Sequence, residues 1–100
     1  MRYGLNDITI ENIFEVFRKY PQINKAILFG SRAMGNYKNG SDIDLTFLGE
    51  GLSLTILNKI SNDLDDLLLP YSFDLSIFNV LTNKEFVDHI NRVGVVFYTK

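Results

Sequence analysis

The chain has 100 residues, 46% of them hydrophobic, with 10 basic and 12 acidic side chains and a formal net charge of −2. This length and apolar content suit one domain, residues 1–100, with a single modest core, and the mixed charges offer no basic stripe for nucleic acid or an anionic membrane. The absence of cysteine excludes disulfides and zinc–thiolate sites, and the absence of a long apolar run argues against a signal peptide or a membrane span and predicts a cytoplasmic protein.

The first half of the chain predicts a lead-in, a helix, a strand, a short helix and a second strand. Residues 1–8 form a loose lead-in, and apolar side chains at helical spacing follow as far as the stop signal Pro21. The apolar run Lys25–Phe29 predicts a strand, and residues 31–36 predict a short helix. The second strand is predicted over residues 42–48.

The second half of the chain continues the alternation of helices and strands. Leucine and isoleucine residues at helical spacing predict a long helix over residues 54–69. Alternating apolar and polar residues over 71–78 predict a third strand with Asp74 near its middle. A last helix over residues 83–92 precedes an apolar tail, residues 95–98, that suits a short strand. The order predicts an α/β (α+β) fold with a small mixed sheet flanked by helices.

Two aspartates, Asp42 and Asp44, are spaced so that they lie on one face of the second strand. Adjacent carboxylates repel each other, and a divalent cation removes the conflict because hard oxygen ligands suit Mg²⁺. Upstream, the turn at Gly30 and Ser31 offers backbone N–H groups that suit a phosphate. A phosphate-binding turn beside carboxylates is the combination that metal-assisted chemistry on a nucleoside triphosphate requires.

Each of these signals has an ordinary alternative when it is taken alone. A Gly-Ser pair is commonly just a turn, an Asp-x-Asp pair is commonly solvated, and Asp74 could be a strand-end residue that hydrogen-bonds to a neighbouring backbone. The three signals together form a pattern that chance rarely supplies. We therefore take them as one candidate site.

The runs GSRAMG, residues 30–35, and SDIDL, residues 41–45, together resemble the signature of the DNA-polymerase-β-type nucleotidyltransferases. Within that superfamily, the short chain and the Gly-Ser-Arg-Ala form are similar to the minimal nucleotidyltransferases, the MNT group of bacteria and archaea. Asp74 falls where the family keeps its third carboxylate, so the resemblance covers nearly the whole chain. It implies a polymerase β-like nucleotidyltransferase core.

The resemblance implies a role for each residue of the signature. Asp42, Asp44 and Asp74 would be the catalytic residues and would hold two Mg²⁺ ions, and Asp74 would also help to deprotonate the attacking hydroxyl. Gly30 and Ser31 would bind the β- and γ-phosphates of ATP or another nucleoside triphosphate. A nucleoside monophosphate would be transferred, and pyrophosphate would leave.

Three further polar residues lie on or between the two signature runs, and a fourth, His89, lies on the last predicted helix. Arg32 is a candidate to reach the triphosphate or pyrophosphate, and an ordinary surface arginine is the alternative. Ser41 is grouped with the nucleotide-binding residues, where it would cap or orient the loop before the metal strand rather than react. Lys38 is expected to be solvated, and His89 on the last helix needs no chemical role.

The resemblance also implies a partner. Members of the MNT group are commonly encoded beside an all-helical HEPN protein, and such pairs resemble toxin–antitoxin systems in which the MNT protein neutralises a HEPN ribonuclease, in some cases by adding AMP to a tyrosine. The chain after Asp74 is too short for the helical acceptor-binding region of larger relatives. We therefore expect a second copy or a partner protein to complete the acceptor site, in a homo- or hetero-oligomer.

Three functions follow from this interpretation. The first is an Mg²⁺-dependent nucleotidyltransferase that transfers AMP from ATP to a hydroxyl, a tyrosine of a HEPN toxin, and thereby acts as an antitoxin. The second is a non-catalytic nucleotide-binding module that neutralises a HEPN protein by occupancy. The third, transfer to a small molecule, is weakened by the missing acceptor region.

Overall fold

The computed structural model describes residues 1–100 and contains one four-stranded β-sheet. Its elements are, in chain order, α1 (Asp7–Arg18), β1 (Lys25–Phe29), α2 (Gly30–Met34), β2 (Ile43–Leu48), α3 (Leu54–Asp65), β3 (Phe73–Ile77), a 3-10 turn (Phe78–Val80), α4 (Lys84–Val93) and β4 (Val95–Thr99). This is the predicted alternation of helices and strands, and the α/β (α+β) fold class is confirmed. None of the helices is long and apolar enough to cross a membrane.

The sheet is mixed and has the strand order β3-β2-β1-β4. β1 lies between β2 and β4 and is antiparallel to both, whereas β2 and β3 are parallel. Parallel neighbours need a crossover connection, and α3 provides it between β2 and β3. The register sets Asp44 of β2 beside Phe29 of β1 on one side and beside Asp74 of β3 on the other. The crossover therefore brings together two acidic residues that are distant in sequence.

The main hydrophobic core lies between one face of the sheet and helices α1 and α3. Its fully buried side chains alternate along β1 and β2 and follow the inner sides of the two helices: Ile13, Phe17, Leu28, Ile43, Leu45, Phe47, Ile60 and Leu64. The opposite face carries Asp44 together with Phe29, because directly paired residues of antiparallel strands point to the same side. α4 lies on that face, where Phe86 meets Phe29 edge to face with 5.3 Å between the ring centroids.

Residues 2–5 form an ordered turn whose last residue is buried, and the prediction of a loose lead-in is wrong. Arg2 and Leu5 exchange two backbone hydrogen bonds of 2.9 and 2.8 Å, and the Leu5 side chain is fully buried in the core. α1 follows at once, because the Asn6 side chain accepts a hydrogen bond from the Thr9 N–H (2.8 Å) and caps the helix. The N-terminus thus forms a tight turn that belongs to the core.

Two helices end earlier in the sequence than predicted. α2 ends at Met34 rather than at residue 36, because Gly35 adopts a left-handed backbone conformation that closes the helix. α3 ends at Asp65 rather than at residue 69, and the positive φ of 55° at Leu68 lies outside the helical region. The apolar side chains after α3 still pack against the core from the turn. The apolar pattern in the sequence therefore continues past the residue at which the helix ends.

Candidate functional site

Asp44 and Asp74 occupy paired positions on the parallel strands β2 and β3. Since neighbouring strands lie about 4.8 Å apart and paired residues point to the same side, the two carboxylates are close neighbours on the sheet face opposite the main core. Asp44 is half-buried and Asp74 is exposed. Burial raises the pKa of Asp44, and the negative charges of Asp74 and Asp42 raise it further. The three predicted carboxylates therefore share one electrostatic environment.

Asp42 lies in the loop that enters β2 and not on the strand itself. β2 begins at Ile43, whose N–H donates to the carbonyl of Ser72 (2.9 Å) just before β3. The Asp42 side chain is exposed. The predicted strand start at residue 42 is thus corrected by one residue, and Asp42 approaches Asp44 from the loop.

The donor chemistry of these carboxylates fits Mg²⁺, although the side chains are not drawn together around a common point. No three His, Asp or Glu side chains form a group that could hold a metal ion. Carboxylate oxygens are the ligands that Mg²⁺ prefers. The pKa of Asp44 is raised by burial and, in addition, by repulsion from Asp74 and Asp42, and a divalent cation would relieve that repulsion.

The backbone of Gly30 lies directly against the Asp44 carboxylate. A Cβ atom at residue 30 would overlap Oδ2 of Asp44 and come within 3.2 Å of its Cγ, and φ at Gly30 is +72°. Both the close approach and the left-handed conformation require glycine. Ser31 follows in the first turn of α2. The predicted phosphate-binding turn and the predicted metal-binding carboxylates are therefore adjacent. That the turn binds a phosphate and the carboxylates bind a metal remains a prediction.

Arg32 is buried, with only 2% of its surface exposed, so it is not the ordinary surface arginine considered above. Its Nε and Nη2 groups both donate to the carbonyl of Ser41 (3.0 and 2.8 Å), and its Nη1 group donates to the carbonyl of Tyr3 (2.8 Å). The guanidinium also lies over the rings of Tyr71 and Tyr37, at 4.8 and 5.3 Å from their centroids. Its donors thus point at protein acceptors, and contact with a phosphate remains a prediction.

Ser41 connects this arginine to the candidate metal ligands. Its carbonyl receives the two hydrogen bonds from Arg32, and its hydroxyl accepts one from the N–H of Lys38 (2.8 Å). These contacts fix the loop directly before Asp42, which fits the orienting role expected of Ser41. Its assignment to nucleotide binding remains a prediction, and the exposed position of Lys38 agrees with the expected solvation of that side chain.

His89 lies closer to the site than the sequence suggested. Its ring packs edge to face on Phe29, with 6.2 Å between the ring centroids. Its charge opposes the upward shift of the pKa of Asp44. The sequence held one signal for this position: Phe86 and His89 are three residues apart on α4, so both project from one helix face. Both contact Phe29, which immediately precedes Gly30.

Two hydroxyl groups follow the paired aspartates along the same face of the sheet. Thr46 and Ser76 are paired in register, two positions beyond Asp44 and Asp74. The hydroxyl oxygens of both residues are buried and have no hydrogen-bond partner within the protein. Thr46 is fully buried, and an unpaired buried hydroxyl is destabilising.

The mixed sheet pairs two aspartates and sets the Gly30 backbone against one of them. The family model "Polymerase beta, Nucleotidyltransferase" matches residues 11–100, and the chain belongs to that family. A search of curated proteins gave no match. The resemblance found in the signature residues is therefore confirmed at the level of the family.

The fold is also similar to that of chains in solved toxin–antitoxin complexes. A chain in the crystal structure of a toxin–antitoxin with AMP-PNP is 20% identical with a TM-score of 0.73, and the match covers 91% of this chain and 73% of that chain. A chain in the MntA–HepT toxin–antitoxin is 18% identical with a TM-score of 0.69, over 95% of this chain and 74% of that one. A chain in the complex of the tri-AMPylated Shewanella oneidensis HEPN toxin with its MNT antitoxin is 17% identical with a TM-score of 0.69, over 96% and 74%. These identities show a shared fold.

Proposed function

We propose that this protein is an Mg²⁺-dependent nucleotidyltransferase that transfers AMP from ATP to a hydroxyl acceptor. The acceptor is a tyrosine of a HEPN toxin partner, and the protein acts as its antitoxin. The observation that carries the proposal is the pairing of Asp44 and Asp74 across β2 and β3, with the Gly30 backbone against Asp44. The charges of the carboxylates and the open backbone of the turn are complementary to a metal-bound triphosphate.

Asp42, Asp44 and Asp74 are the residues that would hold the metal. Two Mg²⁺ ions held there would stabilise the entering and leaving oxygens of an in-line displacement. Asp74 is exposed, so it is accessible to an incoming hydroxyl and can accept its proton. The hydroxyl oxygen forms a bond to the α-phosphorus while the bond from that phosphorus to pyrophosphate breaks.

Gly30 and Ser31 are proposed to bind the β- and γ-phosphates. The absence of a Cβ at Gly30 leaves its backbone open beside Asp44, and the Ser31 hydroxyl adds a short donor next to it. The negative charge of a phosphate bound at this turn is proposed to be balanced by the metal rather than by Arg32, because the three observed hydrogen bonds of Arg32 go to backbone carbonyls.

The solved complexes support the choice of nucleotide and partner. One of these structures contains AMP-PNP, and another contains an AMPylated HEPN toxin together with an MNT antitoxin. Their chains share this fold. A HEPN partner would supply both the acceptor tyrosine and the surface that completes the acceptor site, in a cytoplasmic hetero-oligomer.

Neutralisation by occupancy is the second candidate. The observation that favours it is that no three acidic or histidine side chains form a metal-holding group. In that case the chain binds the HEPN protein and transfers nothing. The two candidates differ in whether the partner is modified.

Intact-mass spectrometry separates these two functions. The protein is incubated with Mg²⁺, ATP and a HEPN protein encoded beside it, and the Asp44→Asn variant is treated in parallel. The enzyme is expected to add one or more AMP units to the partner, and the variant none. Complex formation without any gain in mass, combined with neutralisation by Asp44→Asn, would contradict transfer and favour occupancy.

A further inference from the structure

Arg32 is a buried cation without an ion-pair partner. It is 2% exposed, and no carboxylate lies within salt-bridge distance of it. A buried charge is costly unless other polar groups replace its hydration. Here the replacement comes from two backbone carbonyls, those of Ser41 and Tyr3, and from two aromatic rings, those of Tyr37 and Tyr71. We refer to these five residues as the Arg32 cluster.

The Arg32 cluster joins the segments that lead into the candidate metal ligands. Ser41 directly precedes Asp42 in the loop before β2. Tyr71 lies shortly before Asp74 and the start of β3. One guanidinium therefore contacts the chain upstream of both Asp42 and Asp74. The ladder between β2 and β3 pairs Asp74 with Asp44, whereas Asp42 lies outside the strand and depends on the loop for its position.

The N-terminal turn is the third segment that the cluster holds. The Tyr3 carbonyl receives the Nη1 hydrogen bond, and Gly4 packs directly on the guanidinium. A Cβ at residue 4 would lie 2.7 Å from Nη1 of Arg32 and would overlap the ring of Tyr37, and φ at Gly4 is +74°. Only glycine allows the turn to approach this closely.

We propose that Arg32 is a positioning residue: through Ser41, Tyr71 and the N-terminal turn it sets the entries of β2 and β3 so that Asp42 and Asp74 reach Asp44. The consequence for metal binding rests on the proposed function, whereas the hold on the loop is a property of the fold itself. A planar fork that donates two hydrogen bonds to one carbonyl and a third to another has a fixed geometry that a lysine cannot reproduce. Arg32 therefore acts on the positions of the carboxylates through the backbone, in addition to the direct effect by which its charge opposes the upward shift of the pKa of Asp44, and its three observed hydrogen bonds serve this role rather than phosphate binding.

The test compares two glycine substitutions that impose the same backbone strain. Gly4→Ala places its methyl group against Arg32 and Tyr37, whereas Gly51→Ala has a similar φ of +79° and meets only the Gln22 side chain at 3.4 Å. Tyr37→Leu is the milder variant, because Tyr37 is 37% exposed and the loss of its ring removes one stacking partner without crowding the core. It keeps the test valid if Gly4→Ala does not fold.

The first readout needs neither nucleotide nor activity. Hydrogen exchange of the Arg32 Nε–H, measured by NMR on the whole protein, reports its hydrogen bond to Ser41. We expect exchange to accelerate by at least about tenfold in Gly4→Ala and by about fivefold in Tyr37→Leu, and to be unchanged in Gly51→Ala. Unchanged exchange in both cluster variants would overturn the proposed hold on the loop.

The second readout is the affinity for Mn²⁺ as a probe of the carboxylates, together with a kinetic comparison. The dissociation constant for Mn²⁺ is expected to rise by about tenfold in Gly4→Ala and in Arg32→Lys and to stay constant in Gly51→Ala. In the transfer reaction, Gly4→Ala and Arg32→Lys should each lower kcat more than they raise KM for ATP. A rise in KM alone, with full activity in Arg32→Lys, would show that Arg32 acts as a phosphate-binding cation and would overturn the positioning role.

The two proposals fail in distinguishable ways. Wild-type protein that neither binds Mn²⁺ nor transfers AMP would refute the proposed function. The exchange rates would still decide whether Arg32 holds the loop. Accelerated exchange with unchanged Mn²⁺ affinity would show that the loop is held by Arg32 without setting the carboxylates, and would reject the positioning role while leaving the proposed function intact.

Discussion

Replacing Gly30 by alanine perturbs the contact between the Gly-Ser turn and Asp44 more directly than any other single change. The new methyl group would stand where Oδ2 of Asp44 now lies. The Asp44 carboxylate would have to rotate away, because β2 is the inner strand between β1 and β3 and its backbone is held on both sides. The substitution therefore tests whether the close contact between the Gly30 backbone and the Asp44 carboxylate contributes to stability.

Two terms contribute to the loss of stability. A left-handed conformation costs a non-glycine residue about 1–2 kcal/mol, and crowding at a packed position adds about 1–3 kcal/mol. The first term alone applies to Gly35→Ala, where φ is +85° and nothing lies within 4 Å of the new Cβ. We therefore expect Gly30→Ala to lower the free energy of unfolding by about 1–3 kcal/mol more than Gly35→Ala does.

A double-mutant cycle with Asp44→Ala isolates the contact. Unfolding is followed by circular dichroism in urea for the wild type, each single variant and the double variant. In the Asp44→Ala background no carboxylate remains to be displaced, so the cost of Gly30→Ala should fall to the conformational term of about 1–2 kcal/mol. An equal cost in both backgrounds would refute the close contact on which the site is built.

Three further predictions concern the titrating and polar groups. Asp44→Asn should stabilise the metal-free protein at neutral pH, because burial raises the pKa of Asp44 in the fold, so its ionisation opposes folding as the pH rises through that pKa; the gain should vanish in acid. Thr46→Val should raise the free energy of unfolding by about 1 kcal/mol, since it removes an unpaired buried hydroxyl, and Thr46→Ser should not. Tyr20→Phe should cost about 1 kcal/mol at neutral pH, because the Tyr20 hydroxyl donates to Asp63 and holds its pKa below the usual range.

Denaturation curves across pH check these three predictions. The Asp63 interaction stabilises the fold above the unfolded-state pKa of that carboxyl, so the cost of Tyr20→Phe should shrink as the pH falls below about 4. Burial and, next, the hydrogen bond to Asp63 raise the pKa of Tyr20 to about 12, so the cost should persist up to about pH 10. A cost independent of pH, a loss of stability in metal-free Asp44→Asn, or a Thr46→Val variant no more stable than wild type would each contradict the corresponding prediction.

The strands and the signature could be predicted because both depend on local sequence. The short apolar run predicted the strand Lys25–Phe29 with its observed bounds. The motifs at residues 30–35 and 41–45 carried the resemblance to the family that was then confirmed. The pairing of Asp44 with Asp74 is a matter of register between strands joined by a crossover. Sequence spacing does not determine such a register, and only the resemblance suggested the role of Asp74.

The surroundings of Arg32 and His89 could not be predicted, since they depend on contacts between distant segments. The carbonyls that receive the Arg32 hydrogen bonds belong to Tyr3 and Ser41. Every residue type has such a carbonyl, so the sequence does not indicate which one accepts. The N-terminal turn looked loose because Leu5 is a single apolar residue without periodicity, yet it is fully buried. His89 was a lone histidine whose neighbour, Phe29, is set by tertiary packing alone.

The central claim is that the carboxylates of β2 and β3 bind a metal-bound nucleoside triphosphate. Calorimetric titration with AMP-PNP in the presence of Mg²⁺, and again with the metal chelated, tests it without any partner protein. We predict saturable binding that requires Mg²⁺ and that weakens by at least about tenfold in Asp44→Asn, while that variant melts at the same temperature as wild type or higher. Equal binding by wild type and Asp44→Asn, or no binding by the folded wild-type protein, would contradict the claim.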